Sequence, residues 1–142
     1  MTDLAIRVAA AATLIWLGMV LAISFLEAPL KFRAEDLELR VGLAIGRIVF
    51  RALNIAEVLW AVVIAVCLSV TGPSGAVLAI AAATAVLLAV QLLLVRPRLN
   101  RRSAAVLAGH DAPRSRAHHA YIGLEALKLA ALVALGATLL SG

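Results

Sequence analysis

Gly46-Arg47-Ile48-Val49-Phe50-Arg51-Ala52-Leu53-Asn54-Ile55-Ala56-Glu57 opens a long apolar run, and its polar residues recur at helical spacing. At about 100° per residue, Arg47, Arg51, Asn54 and Glu57 fall on one stripe of a helix that is otherwise apolar. His118, Tyr121, Glu125 and Lys128 form a second stripe of the same kind late in the chain. Polar groups at membrane depth are costly unless they face protein, water or one another. Both stripes are therefore expected to turn inward.

The surrounding composition makes the membrane setting the right one. Of the 142 residues, 64% are hydrophobic, and the mean hydropathy is +1.05, whereas an ordinary soluble domain is about 45–50% apolar. Crossing a hydrocarbon core of about 30 Å takes about 20 helical residues. Four runs of sufficient length are present, at about residues 4–26, 42–70, 76–95 and 117–140. The expectation is an all-α, integral membrane four-helix bundle forming one domain over residues 1–142.

A formal net charge of +5 raises nucleic acid as a partner. The basic residues are not interleaved with aromatics, however, and cluster in two connections, which reads as membrane topology. Cys67 is the only cysteine and lies inside an apolar run, so no intrachain disulfide forms and a buried thiol is expected. The N-terminus lacks a basic n-region, since Arg7 is opposed by Asp3, and its apolar run exceeds the usual h-region; it reads as a retained first span.

In chain order, the first run carries Ala9 to Ala12, Trp16 and Gly18, small residues that let membrane helices approach closely. Pro29 is expected to end or kink that helix. Glu35, Asp36 and Glu38 in the charged first connection suit the first turn of the next helix. That helix enters the membrane near Gly42 to Gly46 and stops at Thr71-Gly72-Pro73-Ser74-Gly75. The third run has Gln91 as its only strongly polar member and ends at Arg96-Pro97.

Lys31, Arg33 and Arg40 lie in the first connection, and Arg96, Arg98, Arg101, Arg102, Arg114 and Arg116 in the third; the 71–75 turn and the C-terminal tail hold none. The positive-inside rule then makes loops 27–41 and 96–117 cytoplasmic and both termini external, as in a bacterial inner membrane. Arg7 stands against this assignment.

Halving the chain aligns its two parts. Ala10-Ala11-Ala12-Thr13 answers Ala81-Ala82-Ala83-Thr84, and beyond a small gap Pro29 answers Pro97. At the original offset Arg47 answers His118, Phe50 answers Tyr121, Asn54 answers Glu125 and Glu57 answers Lys128. A parallel repeat of two-helix units follows, related by a pseudo-two-fold along the membrane normal. It places Glu57 level with Lys128, about 15 Å into each helix and near mid-bilayer, and predicts a Glu57–Lys128 pair.

Two readings of the stripes follow. In one, they line a polar cavity between spans two and four that binds an ion, a proton or a small solute, with Arg47, Arg51, Arg96 and Arg98 at a cationic mouth and Glu27 joining from the end of span one. In the other, they form a buried network that fixes helix register and nothing more. His110, His118 and His119 with the glutamates match no strong metal signature, and all three histidines lie in or beside one loop, so no metal, haem or other cofactor is expected. No recognisable nucleophile arrangement is present, and no catalytic residue is assigned. Trp16 and Trp60 read as packing or interface residues.

Trp16-Leu17-Gly18, Phe25…Ala28-Pro29-Leu30-Lys31-Phe32 and Gly42…Gly46-Arg47-Ile48-Val49-Phe50, with a basic third loop and a His-bearing entry to span four, resemble the small four-span membrane proteins grouped with human transmembrane protein 205. The resemblance covers the chain in layout through short motifs. It implies a four-helix bundle in a membrane and carries no activity, so no catalytic residue transfers.

The leading functional expectation is a small transporter or channel-like protein, with the lipid bilayer as its surroundings and a homodimer through the small residues of span one as its assembly. A non-catalytic accessory subunit of a larger membrane complex comes second, and a membrane enzyme acting on a lipid or cofactor third.

Overall fold

The computed structural model describes residues 2–110 and 116–142. Four long helices account for nearly all of them, and there is no strand among the described residues. We label them α1 (Thr2–Lys31), α2 (Leu39–Thr71), α3 (Gly75–Leu107) and α4 (Arg116–Ser141); each is long and apolar enough to cross a membrane. Helices are what such a sequence must form in lipid, because no water is present there to satisfy a free backbone N–H or C=O. Two buried threonines in the spans meet the same need, while Ser24 Oγ in the π-helical part of α1 has no partner among the described residues. Thr13 and Thr84 each donate to the carbonyl four residues back, at 2.7 and 2.9 Å.

Neighbours in sequence are neighbours in space. Contacts run from α1 to α2, α2 to α3, α3 to α4 and α4 back to α1, so α2 and α4 face each other across one diagonal and α1 and α3 across the other. Ala9, Ala10, Ala12 and Thr13 are buried inside this bundle with Leu132, Leu135 and Leu139 of α4. Three of the alanines of span one are thus used for packing within the chain, while Ala11 stays exposed. Gly136 completes this contact, since a Cβ there would already reach Leu14 Cδ2 at 3.5 Å.

Neither proline stops its helix where it stands. Pro29 does not end α1, and α3 runs on past Pro97 to Leu107. In each case a π-helical stretch precedes the proline, Leu21–Glu27 in α1 and Gln91–Val95 in α3. A proline ring collides with the carbonyl four residues back, here that of Phe25 or Leu93, and both lie within the widened turns. Ala28 N–H bonds Ile23 O and Arg96 N–H bonds Gln91 O, the five-residue pattern of such a turn. The widened turn absorbs the clash, and the helix continues.

The first connection is also rearranged. Glu35 and Asp36 sit in turns before the helix, Asp36 at φ 61°, and α2 starts at Leu39 after the extended Glu38. Acids are therefore absent from the first helical turn. Gly42 is buried where a Cβ would overlap the Phe32 ring, which packs the connection onto α2. Arg40 reaches across to the carbonyl of Leu107 at 2.7 Å, tying the outer ends of α2 and α3 together. Asp111, Pro113 and Arg114 of the third connection lie outside the described residues.

At the opposite end, α2 and α3 meet in a three-residue turn. Gly72 takes the left-handed conformation (φ 60°, ψ 53°) that ends α2, and Ser74 Oγ accepts from Val77 N–H to start α3. With that turn at one hydrocarbon edge, a helix of 33 residues extends about 50 Å and overhangs the other edge by about 20 Å. About thirteen residues of each helix project there, which brings the second boundary to Arg51 on α2 and Arg96 on α3.

The turn yields a contrast of sign. Gly72→Ala must pay left-handed strain and lowers stability by about 1–2 kcal/mol, whereas Gly75→Ala, at the helical start of α3 with open space around it, raises it by about 0.4–1 kcal/mol. Unfolding titrations with dodecyl sulfate in mixed micelles measure both; equal effects would contradict the turn geometry.

Candidate functional site

The centre of the bundle is polar. Lys128 of α4 is fully buried, at 0% exposure, with Glu57 of α2 at 1% and Gln91 of α3 and Glu125 of α4 at 2%. The Lys128 ammonium donates to Glu57 Oε1, completing the expected pair across the α2–α4 diagonal. It also donates to Gln91 Oε1 at 2.8 Å and stands 2.9 Å from Glu125 Oε1. Gln91 Nε2 donates to Glu125 Oε2 at 3.0 Å, and the Trp16 indole N–H of α1 donates to Glu57 Oε1 at 3.0 Å. Each helix contributes at least one group.

The long lysine stem explains how a diagonal is bridged. The backbones of α2 and α4 barely touch, so a short side chain from either helix would stop at the axis. Three oxygens surround the ammonium, two of them hydrogen-bonded, on Glu57 and Gln91, and the third, on Glu125, held by charge alone. Glu57 Oε2, by contrast, is buried with no hydrogen-bond partner among the described residues, and Glu125 Oε1 has its ion pair but no aligned hydrogen bond. Two carboxylates against one ammonium leave the cluster at a formal charge of −1.

A second line of contacts leads from the cluster toward the basic end. Tyr121 is buried one turn before Glu125 on α4. The Tyr121 ring meets Phe50 edge-on at 6.0 Å. The Arg96 guanidinium lies over both rings, 4.7 Å from the Phe50 centroid and 5.4 Å from that of Tyr121. It makes no ion pair with Glu57 or Glu125 among the described residues.

The stripe of α2 divides here. Glu57 is buried, whereas Arg47 and Arg51 are exposed and Asn54 is half-buried. These three line a groove of about 760 Å³ with Arg96 and Asn100 of α3. The groove lies between α2 and α3, not between α2 and α4. The angular arithmetic accounts for the split, because at 100° per residue Glu57 sits about 80° from Arg47 on the opposite side from Arg51. The stripe is wide enough that its edges look at different neighbours. Arg98 is exposed and is not among the groove residues.

The remaining residues singled out in the sequence lie elsewhere. His118 is half-buried at the start of α4, its ring 5.8 Å from that of His119. Glu27 pairs with Lys31 at 3.4 Å one turn on and does not reach the cluster. Among the described residues no three His, Cys, Asp or Glu side chains group closely enough to hold a metal. Sequence reading underrated Trp16 and Gln91. A lone glutamine in an apolar run is itself a signal, and counting rise from the 71–75 turn puts Gln91 within about 3 Å of the depth of Glu57. The role of Trp16 had no such marker.

No family model, curated protein or solved structure matches the chain. The chain is an integral membrane four-helix protein with a buried Glu–Lys–Glu cluster at its centre.

The charge count sets an order of tolerance. Lys128→Met leaves two buried carboxylates uncompensated and costs about 3–5 kcal/mol. Glu57→Gln keeps acceptors for Trp16 and Lys128 while bringing the cluster to neutrality, and costs no more than about 1.5 kcal/mol. Dodecyl sulfate unfolding of the two variants measures the order; a Glu57→Gln loss as large as that of Lys128→Met would contradict it.

Proposed function

We propose that this protein is a small proton-handling transporter, with the Glu57–Lys128–Glu125 cluster as its proton site. The observation that carries the reading is the formal charge of −1 in a fully buried, membrane-embedded cluster. An uncompensated charge in an apolar core is expensive enough that such groups neutralise instead. A proton is the cation that needs no extra room, and Glu57 Oε2 is the carboxylate oxygen with neither hydrogen bond nor ion pair. Intramembrane carboxylates of this kind mark proton relays. Arg96, stacked over the ring of Tyr121 one turn before Glu125, lies on the side of the site toward the basic end of the bundle.

The same reading takes the basic end as cytoplasmic, on the Lys/Arg distribution. It also takes the molecule as a parallel repeat of two-helix units. Support comes from pairs 71 residues apart meeting in space, Glu57 with Lys128 and Phe50 with Tyr121. Both odd-numbered helices, moreover, place a π-helical turn immediately before their proline-bearing segment.

One observation favours a second reading. The cluster is closed, with every charged member at 2% exposure or less, as suits a static ion network inside an accessory subunit of a larger membrane complex. Reconstituted vesicles with a trapped pH-sensitive dye and an imposed potassium diffusion potential separate the two. A transporter moves protons above the level of empty vesicles, and Glu57→Gln returns this to background while remaining folded. Wild type indistinguishable from empty vesicles would overturn the transporter reading and leave the accessory one.

A further inference from the structure

We infer that the groove between α2 and α3 is a binding site for the phosphate headgroup of an anionic phospholipid. It presents three guanidinium groups, from Arg47, Arg51 and Arg96, with two amides, from Asn54 and Asn100, and no carboxylate among its lining residues. Arg47 and Arg51 have no ion-pair partner among the described residues. Guanidinium groups match phosphate oxygens through paired N–H donors, and the amides supply further donors at the same place.

Depth argues for a lipid over a free anion. Arg51 and Arg96 fall at the hydrocarbon boundary reckoned from the 71–75 turn, from which a long side chain can reach the adjoining phosphate layer. Asn54 sits about 5 Å deeper, on the hydrocarbon side, and Arg47 about 6 Å farther out, within the headgroup layer. The groove walls are aliphatic, and two of them turn outward, Ile48 at 72% exposure and Ile55 at 65%. A soluble anion has no use for such walls; the first carbons of acyl chains do. A volume of about 760 Å³ lies within the range of ligand-sized sites, about 300–1,000 Å³. Basic pockets between spans at the charged end of a bundle are a recognised setting for anionic headgroups. The site is distinct from the proton cluster and does not depend on that assignment.

The test uses the full chain in dodecyl maltoside, with thermal stability and native mass spectrometry as readouts. The probes are phosphatidylglycerol, phosphatidylcholine and inorganic phosphate. Phosphatidylglycerol is expected to raise the melting temperature and remain bound in the spectrometer, with no comparable effect from the other two. Each basic residue near an anionic surface is worth about a factor of five in affinity, so Arg47→Gln/Arg51→Gln together weaken phosphatidylglycerol binding about 25-fold. Both arginines are exposed, and the pair of substitutions leaves the core intact. Arg98→Gln/Arg101→Gln removes the same charge from the same end outside the groove and is expected to leave binding unchanged. Equal weakening by the two double variants would show diffuse surface attraction and overturn the site. Stabilisation by inorganic phosphate matching that by phosphatidylglycerol would assign the groove to a free anion and overturn the lipid, as would equal binding of phosphatidylcholine.

Discussion

A lysine ammonium in the centre of a membrane bundle is tolerable only when acceptors and counter-charges surround it, and the fold supplies both to Lys128. Glu57 comes from the helix diagonally opposite, Gln91 from a neighbour, and Glu125 from one turn earlier on its own helix. Trp16, from the remaining helix, secures Glu57 in turn. Lipid supplies little hydrophobic drive between helices, so packing of small residues and interhelical polar contacts must hold the bundle. Ala9, Ala10 and Ala12 supply the first on the α1–α4 side, and the cluster supplies the second at the axis. Because all four helices contribute, sliding any one of them would break at least one charge-assisted bond. Register and buried charge are thus a single constraint.

That constraint has an unbalanced sum. A neutral network of this size would serve register equally well, yet two carboxylates share one ammonium here. Arg96 is held over the rings of Phe50 and Tyr121 and pairs with neither carboxylate among the described residues. Its position also separates two chemistries along α2 and α3. Toward the axis the groups are anionic and closed to solvent; toward the flank they are cationic and open. The stripe that looks continuous in sequence serves both, with Arg47 and Arg51 on the open side and Glu57 on the closed one.

Much of this architecture is legible from composition and spacing. Four apolar runs of membrane length lead directly to the four helices, and the equal offset of Glu57 and Lys128 anticipates their pairing. Prolines mislead, because the rule that they end helices neglects the widened turn that lets α1 and α3 continue past Pro29 and Pro97. Periodicity misleads at Arg47 and Arg51, since a stripe about 120° wide is seen as one face by angle but meets two neighbours in a square bundle. Trp16 was illegible for a different reason. An indole N–H declares itself only when its acceptor is known, and that acceptor lies on another helix.

The central claim is that one carboxyl of the buried cluster holds a proton, and infrared difference spectroscopy of the protein in lipid vesicles tests it most directly. The account predicts a protonated-carboxyl stretching band that shifts little in deuterated water, as expected for a group shielded from solvent, and that disappears in Glu57→Gln. Wild-type protein with no such band would mean that both carboxylates are ionised and balanced at a distance by Arg96. The cluster would then be a fixed ion network, and the proton-handling account would be wrong.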